Sequence, residues 1–150
     1  MTALYAEVRS AVATQIDTLT GWNLIDVPFD QFGFGVVDDV PESTAHLAYA
    51  VGVPSSRPAR PHDRQRWGEG LLNLSSVAVR FLARVTAKGK LASVDAGMAQ
   101  EVLMLETMLR TTFSANVRID SWTGTRRSTN PTGEWRLTEI AFDALHVVTN

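Results

Sequence analysis

The sequence predicts one α+β domain over residues 1–150, with a mostly antiparallel sheet of four to five strands, two helices packed on one face, and long surface loops. Two segments have helical apolar spacing, three have strand alternation, and 45% of the 150 residues are hydrophobic. A chain of this length buries about 70% of the surface that its unfolded form exposes, so a single core can stabilise it. The chain contains no cysteine, which excludes disulfides and cysteine catalysis.

Two segments are predicted to form amphipathic helices. The first has a possible cap at Thr2 and an end at Gly21. The second begins at an N-cap Ser93, has Asp95 in its first turn, and ends near Arg110. Steps of three and four place apolar residues on one stripe of each helix: Leu4, Val8, Val12, Ile16 and Leu19 in the first; Val94, Met98, Val102, Leu105 and Leu109, widened by Met104 and Met108, in the second.

Three segments alternate between apolar and polar residues and are predicted to be strands. They are residues 45–53, residues 72–85, and a C-terminal hairpin in which residues 117–121 lead through GTRRSTNPTGE into WRLTEIAFDALHVV. A strand buried on both faces would be continuously apolar. The alternation therefore predicts that helices cover only one face of the sheet.

Two segments lack a clear period. WNLIDVPFDQFGFGVVDDVPES predicts a short strand followed by an irregular arm, because Pro28 and Pro41 interrupt any regular element. PSSRPARPHDRQRWGEG, residues 54–70, contains three prolines and four arginines and predicts a long surface loop.

Charge is distributed unevenly along the chain. Residues 10–56 contain six acids and no Lys or Arg, whereas residues from Arg57 onward contain thirteen bases and nine acids. Two interpretations are open. The regions either lie side by side and neutralise each other within one molecule, or they form unlike patches that join neighbouring subunits in a head-to-tail assembly.

No pattern in the sequence predicts catalysis or a cofactor. The chain has no G-x-S-x-G elbow, no H-x-x-x-H pair and no complete dinucleotide or phosphate loop. His46 and His146 are predicted to be hydrogen-bonded structural residues in strands, and His62 a solvated loop residue. We therefore expect a non-enzymatic protein without metal or cofactor. No apolar stretch approaches the roughly 20 residues needed to span a bilayer, so we expect no membrane partner.

Two aromatic or basic clusters have alternative interpretations. The segment from Arg57 to Trp67 has the composition of a single-strand nucleic-acid contact, although the net charge of −2 argues against a general nucleic-acid binder. Phe29, Phe32 and Phe34 either fold back as a lid on the sheet or form an apolar contact patch with an acidic rim.

The order of the segments resembles the tail terminator, or tail completion, proteins of long-tailed bacteriophages. SSVAVRFLARVTAKGKLASVDAGMAQEVLMLETMLR resembles the central unit of that family, in which a strand with alternating Val and Arg runs through a charged turn into a helix that opens with Asp95 and carries Glu101 and Glu106. VRIDSWTGTRRSTNPTGEWRLTEIAFDALHVV resembles its closing hairpin. With the opening helix, the likeness covers most of the chain except residues 24–42 and the arginine-rich loop.

The resemblance implies a structural virion protein, assembled in the host cytoplasm, that forms a hexameric ring on the tail tube, ends tail polymerisation and joins tail to head. Its partners would be copies of itself, the major tail tube protein and head completion or connector proteins, and DNA would pass through the lumen without specific binding. A head completion or connector protein of the neck is the alternative of the same class. The sign and irregularity of the acidic arm and the basic loop suggest subunit or inter-ring contacts at Asp30, Phe32, Phe34, Asp38, Asp39, Glu42, Arg57, Arg60, Arg64, Arg66 and Trp67.

Overall fold

The computed structural model describes residues 5–58, 66–67, 70–85, 91–110 and 117–148, and it confirms the α+β class. Four α-helices, one 3-10 helix and six strands are formed by these residues. In chain order they are α1 (Tyr5–Asp17), β1 (Asn23–Leu24), the 3-10 helix (Phe29–Gln31), α2 (Val36–Asp39), α3 (Glu42–Ala45), β2 (Ala48–Pro58), β3 (Arg66–Trp67), β4 (Gly70–Arg84), α4 (Leu91–Arg110), β5 (Val117–Thr129) and β6 (Trp135–Val148).

The strands form one sheet in the order β1-β2-β4-β6-β5, and the short β3 pairs separately with the start of β4. β1 runs parallel to β2, and every other pairing is antiparallel. The central ladder joins β4 to β6 from Leu71↔Val148 to Arg84↔Trp135 without a register shift. The predicted mostly antiparallel sheet is therefore confirmed, with β5 as its last strand on one side.

The two long helices pack on one face of the sheet, as predicted. α1 contributes Val8, Val12 and Ile16 to the core, and α4 contributes Met104 and Met108. Period-two alternation on the strands supplies the facing side chains, among them Tyr49, Val77, Val79, Phe81, Ile140 and Phe142.

The opposite face is also partly covered, which corrects the expectation that only one face would be packed. The irregular arm crosses this face and forms the 3-10 helix, α2 and α3. Its Phe32, Val36 and Ala45 join a second buried cluster with Ala48, Ala50, Leu82 and Trp135 of the sheet. Ala48 and Ala50 alternate with large residues and looked like a solvent side, but their small side chains instead leave room for the arm.

Strand β2 differs from its predicted bounds at both ends. Ala45 belongs to α3 and His46 caps that helix, so the strand begins at Ala48 and His46 lies outside it. At the other end β2 continues to Pro58, so the first residues of the predicted loop form a strand instead. Pro54 lies at a register shift between Gly52 and Ser55, and Pro58 is the last residue of β2, positions where a strand tolerates proline.

Helix α4 buries only part of the predicted stripe, Met104, Leu105 and Met108, and begins at Leu91, before Ser93. Among its described side chains, Glu101, Met104 and Met108 are fully buried, and Leu105 is partly buried. Val102 is 53% exposed, and Met98 and Leu109 are also exposed. Val94 and Asp95 have side chains outside the described part of the chain. Helix α1 is also shorter than predicted: it ends at Asp17, before Gly21, whose positive φ of 88° suits the turn that follows.

Candidate subunit-contact surfaces

Arg80 of β4 holds the acidic arm against the sheet. Its Nε donates to Oε1 of Glu139 at 2.8 Å, and its Nη1 donates to the carbonyl oxygen of Phe29 at 2.9 Å. The same guanidinium lies over the Phe29 phenyl ring, 4.2 Å from its centroid. The arm is therefore fixed to β4 through its backbone and one aromatic side chain, and its position is defined.

Four acidic residues of the predicted contact set lie on the outside of this arm. Asp30, Asp38 and Asp39 are exposed and form no ion pair with any residue that the structure describes. Glu42 is also exposed, but it forms an ion pair with Arg84 of β4. The first three therefore leave an unneutralised acidic surface, whereas Glu42 already has a partner within the molecule.

The two predicted aromatic contacts fold inward. Phe32 is 2% exposed in the second cluster, which corrects its prediction as a contact residue, because a buried ring presents no surface to a neighbouring subunit. Phe34 is partly buried and packs against the same cluster. The structure therefore corresponds to the lid interpretation, because burying these rings against the sheet removes them from water.

The predicted basic contacts are only partly described. Arg57 is exposed at the end of β2, and its Nη2 donates to Oδ2 of Asp143 at 2.9 Å. Arg60 and Arg64 lie outside the described residues. Arg66 and Trp67 form β3, where they pair with Leu71 and Gly70, and their side chains are outside the described part. Like Glu42, Arg57 thus supports neutralisation within one molecule.

Strand β5 carries a basic surface that the sequence did not predict. Arg118 and Arg126 are exposed on this strand and form no ion pair with the described residues. Arg127 is 42% exposed and binds Glu101. The sequence of residues 124–129 is typical of a turn, because polar residues occupy both faces that a strand would alternate between. Their backbone nevertheless pairs with β6 from Gly124↔Ala141 to Thr129↔Arg136.

These charged surfaces lie on different parts of the protomer. The arm follows β1, the first strand, covers part of the sheet over β2, β4 and β6, and contains five acids and no Lys or Arg between Trp22 and Leu47. β5, the last strand, carries three arginines and one aspartate. The protomer therefore has an acidic surface on the arm and a basic surface on the edge strand β5.

A groove of about 400 Å³ lies between α1 and the segment that continues β1. Ala50 and Val51 of β2 line it, and its charged wall residues are Arg9 and Asp26. Small α1 side chains and apolar residues after β1 complete the lining: Ala6, Ser10, Ala13, Leu24, Ile25 and Val27.

Tyr49 fixes α1 beside this groove. Its hydroxyl donates to the carbonyl oxygen of Ala13 at 3.1 Å. Burial, with a contribution from the negative charge of Asp17, raises the pKa of Tyr49 to about 12. The phenol therefore keeps its proton, and the hydrogen bond, at physiological pH.

The buried histidine has the surroundings of a structural residue. His146 is buried, its Nε2 lies 2.6 Å from Oγ of Ser75, and that hydroxyl lies 2.9 Å from Oγ of Ser56. Ser75 is itself fully buried, so this pair is closed to a substrate. Within the described ranges, no three His, Asp or Glu side chains are grouped to hold a metal ion.

Comparisons with known proteins identify no family. No family model matches the chain, and no curated protein matches it. A crystal structure from Akkermansia muciniphila is similar at 10% identity and a TM-score of 0.37, over 95% of this chain and 74% of that one. A second structure from the same organism, solved without its transmembrane region, has 10% identity and a TM-score of 0.36 over 100% and 89% of the two chains. Such values carry no argument about function.

None of the described helices is long and apolar enough to span a membrane.

Proposed function

We propose that the chain is a structural virion protein that forms a ring on the phage tail tube, ends tail polymerisation and joins tail to head. The observation that supports this proposal best is the placement of its unlike charges. The acidic arm begins at one extreme of the sheet, and the basic strand β5 forms the other.

Unlike patches on different surfaces of a protomer suit a head-to-tail contact. When the same pair of patches joins each subunit to the next, the assembly closes into a ring if the rotation between subunits closes. Asp30, Asp38 and Asp39 are the arm residues that remain available for this contact, and Arg118 and Arg126 are their counterparts on β5. Such a protein works through its contacts and needs no catalytic group.

The ion pairs within the protomer have a separate role in this proposal. Glu42–Arg84 joins the acidic arm to β4, Arg57–Asp143 joins β2 to β6, and Arg80 holds the arm through Phe29. These contacts keep the acidic surface in a defined position. A rigid patch loses less conformational entropy on association than a mobile one.

The proposal is tested by assembly with purified tail tube protein. Light scattering and negative-stain images should show closed rings, and rings added to polymerising tubes should bind one tube end and stop growth. The double variant Asp38→Lys, Asp39→Lys should reduce ring formation and its effect on tubes together, while Glu134→Lys, an exposed reversal in the β5–β6 turn, should not. Rings that bind no tube would favour the head completion alternative. A chain that stays monomeric with and without tubes would contradict the proposal.

A further inference from the structure

We infer that the groove beside β2 takes the regular half of β5, residues 124–129, from a second copy of the chain, and that this strand extends the sheet across the subunit boundary. The inference rests on the proposed head-to-tail ring and specifies its lateral contact. Four features of the structure support it.

The outer edge of β2 is covered only at its start. β1 pairs with Ala48 and Tyr49, and Ile25 adds one bond from its N–H to the carbonyl oxygen of Tyr49 at 3.0 Å. The N–H of Val27 then donates back to the carbonyl oxygen of Ile25, so the chain turns away from the strand. From Val51 to Val53, before the register shift at Pro54, no strand among the described residues pairs with this edge, and an unpaired edge can accept another chain.

The groove lies at the point where β1 stops. Val51 lines it, and α1 forms one wall with small side chains, Ala6, Ser10 and Ala13. Strands in a sheet lie about 4.8 Å apart, so an added strand must approach the edge closely, and small neighbouring side chains permit that approach. An extended segment therefore suits this site better than a helix does.

β5 provides the matching edge on the other side of the protomer. It is the last strand of the sheet, and its register shifts twice, between Ile119 and Ser121 and between Trp122 and Gly124. Bulges of this kind disrupt pairing in the first half of the strand. Residues 124–129 pair with β6 in unbroken register, so only this half offers a straight outer edge.

The groove has two charged residues, Arg9 and Asp26, and the charge complementarity that favours this strand is local to Asp26. Asp26 is exposed on the groove wall, and Arg126 is exposed in the regular half of β5. Neither side chain forms an ion pair with the residues that the structure describes. The accepting edge carries an acid and the added strand carries a base. Pairing β2 with β5 in this register and orientation is therefore favoured over pairing two β2 edges or two β5 edges.

A charge swap tests the contact. Asp26→Lys and Arg126→Glu should each weaken ring assembly by roughly tenfold, and the chain carrying both changes should recover most of the loss, because the pair is restored in reversed sign. Glu134→Lys is the matched control, since it lies outside the regular half of β5 and the groove. Circular dichroism should show every variant folded, as all three side chains are exposed.

Cross-linking gives a second readout, because the chain has no cysteine of its own. Ser10→Cys places a thiol on the groove wall and Ser128→Cys places one on β5. A short bis-maleimide should couple the two variants when they are mixed and should leave each variant alone uncoupled. Homodimers of either single variant would instead indicate like-to-like contacts and overturn the inference.

The two proposals fail differently. Rings that form normally with Asp26→Lys, and that never couple Ser10→Cys to Ser128→Cys, would overturn the strand contact and leave the ring proposal intact. Wild-type chains that form no ring with or without tail tubes would overturn both.

Discussion

Glu101 on α4 accepts hydrogen bonds from Arg127 on β5. Nε of Arg127 lies 2.9 Å from Oε1 and 2.8 Å from Oε2 of the carboxylate, and Nη2 lies 2.6 Å from Oε2. Arg136 and Thr138 of β6 each donate to Oε1 at 3.2 Å. The Glu101 side chain is only 3% exposed, and its hydrogen bonding raises the pKa of Arg127. One buried carboxylate thus joins the helix to both strands of the hairpin.

Replacing this carboxylate should cost more than replacing its arginine partner. Glu101→Gln removes the buried carboxylate charge that Arg136 and Arg127 both bind, so we expect a loss of about 3–5 kcal/mol in the free energy of unfolding. Arg127→Gln should cost clearly less, because Glu101 keeps Arg136 and Thr138 and the Arg127 side chain is 42% exposed. Urea unfolding measures both variants, with exposed Glu134→Gln as the control. Equal losses for Glu101→Gln and Arg127→Gln would contradict this account.

Gly52 is a second position where one substitution should have a specific effect. A Cβ at this residue would lie 2.4 Å from Cγ and 2.6 Å from Cβ of Phe29. Gly52→Ala should therefore displace Phe29 from Arg80 and loosen the arm, at a cost of about 1–3 kcal/mol.

Hydrogen exchange separates this effect from general destabilisation. Amide exchange in α2 and α3 should rise more than exchange in β6. Gly35→Ala is the matched control, because nothing lies within 4 Å of a Cβ at Gly35, so it should change neither quantity. Unchanged exchange in the arm of Gly52→Ala would show that Phe29 does not hold it.

His46 predicts a dependence of stability on pH. Its Nδ1 accepts a hydrogen bond from the backbone N–H of Arg84 at 3.1 Å, and burial lowers its pKa below the ordinary 6.5. Between the folded pKa and 6.5, the unfolded chain binds a proton that the folded chain does not. The contribution of His46 to stability is therefore complete above pH 6.5 and falls as pH drops through this window.

Unfolding curves measured between about pH 5.5 and 7.5 avoid most carboxylate titration. The wild type should lose stability toward the acidic end, and His46→Gln, which does not titrate, should lose less. Parallel pH profiles for the two proteins would exclude His46 as the source.

The sequence predicted the central strands well because alternation there coincides with burial. Val77, Val79 and Phe81 face the core as their period-two spacing requires, and β6 repeats that pattern with Ile140 and Phe142. Residues 124–129 of β5 and 54–58 of β2 carry no such signal, since exposure on both sides removes the alternation. Their strand structure depends on pairing with β6 and β4, which a local pattern does not contain.

Only part of the predicted contact set is exposed, for a similar reason. The density of acids correctly indicated that Asp38 and Asp39 are exposed. Composition could not distinguish them from Phe32, which is buried only because Ala48 and Ala50 leave room for the arm on the sheet. Arg126 was missed because its segment resembled a turn.

Helix α4 provides a direct test of how spacing and packing differ. The helix has so many apolar residues that two stripes satisfy helical spacing, Met98–Val102–Leu109 and Met104–Met108. The contacts of the Glu101 carboxylate with the hairpin determine which stripe faces the sheet. Met104→Ala should cost about 2–5 kcal/mol, because it leaves a cavity in the core. Val102→Ala should change stability by less than about 0.5 kcal/mol, since the Val102 side chain is already in water and makes no core contact. Urea unfolding of the two variants measures the difference, and a larger loss at Val102 than at Met104 would mean that the helix is rotated about its axis toward the originally predicted stripe.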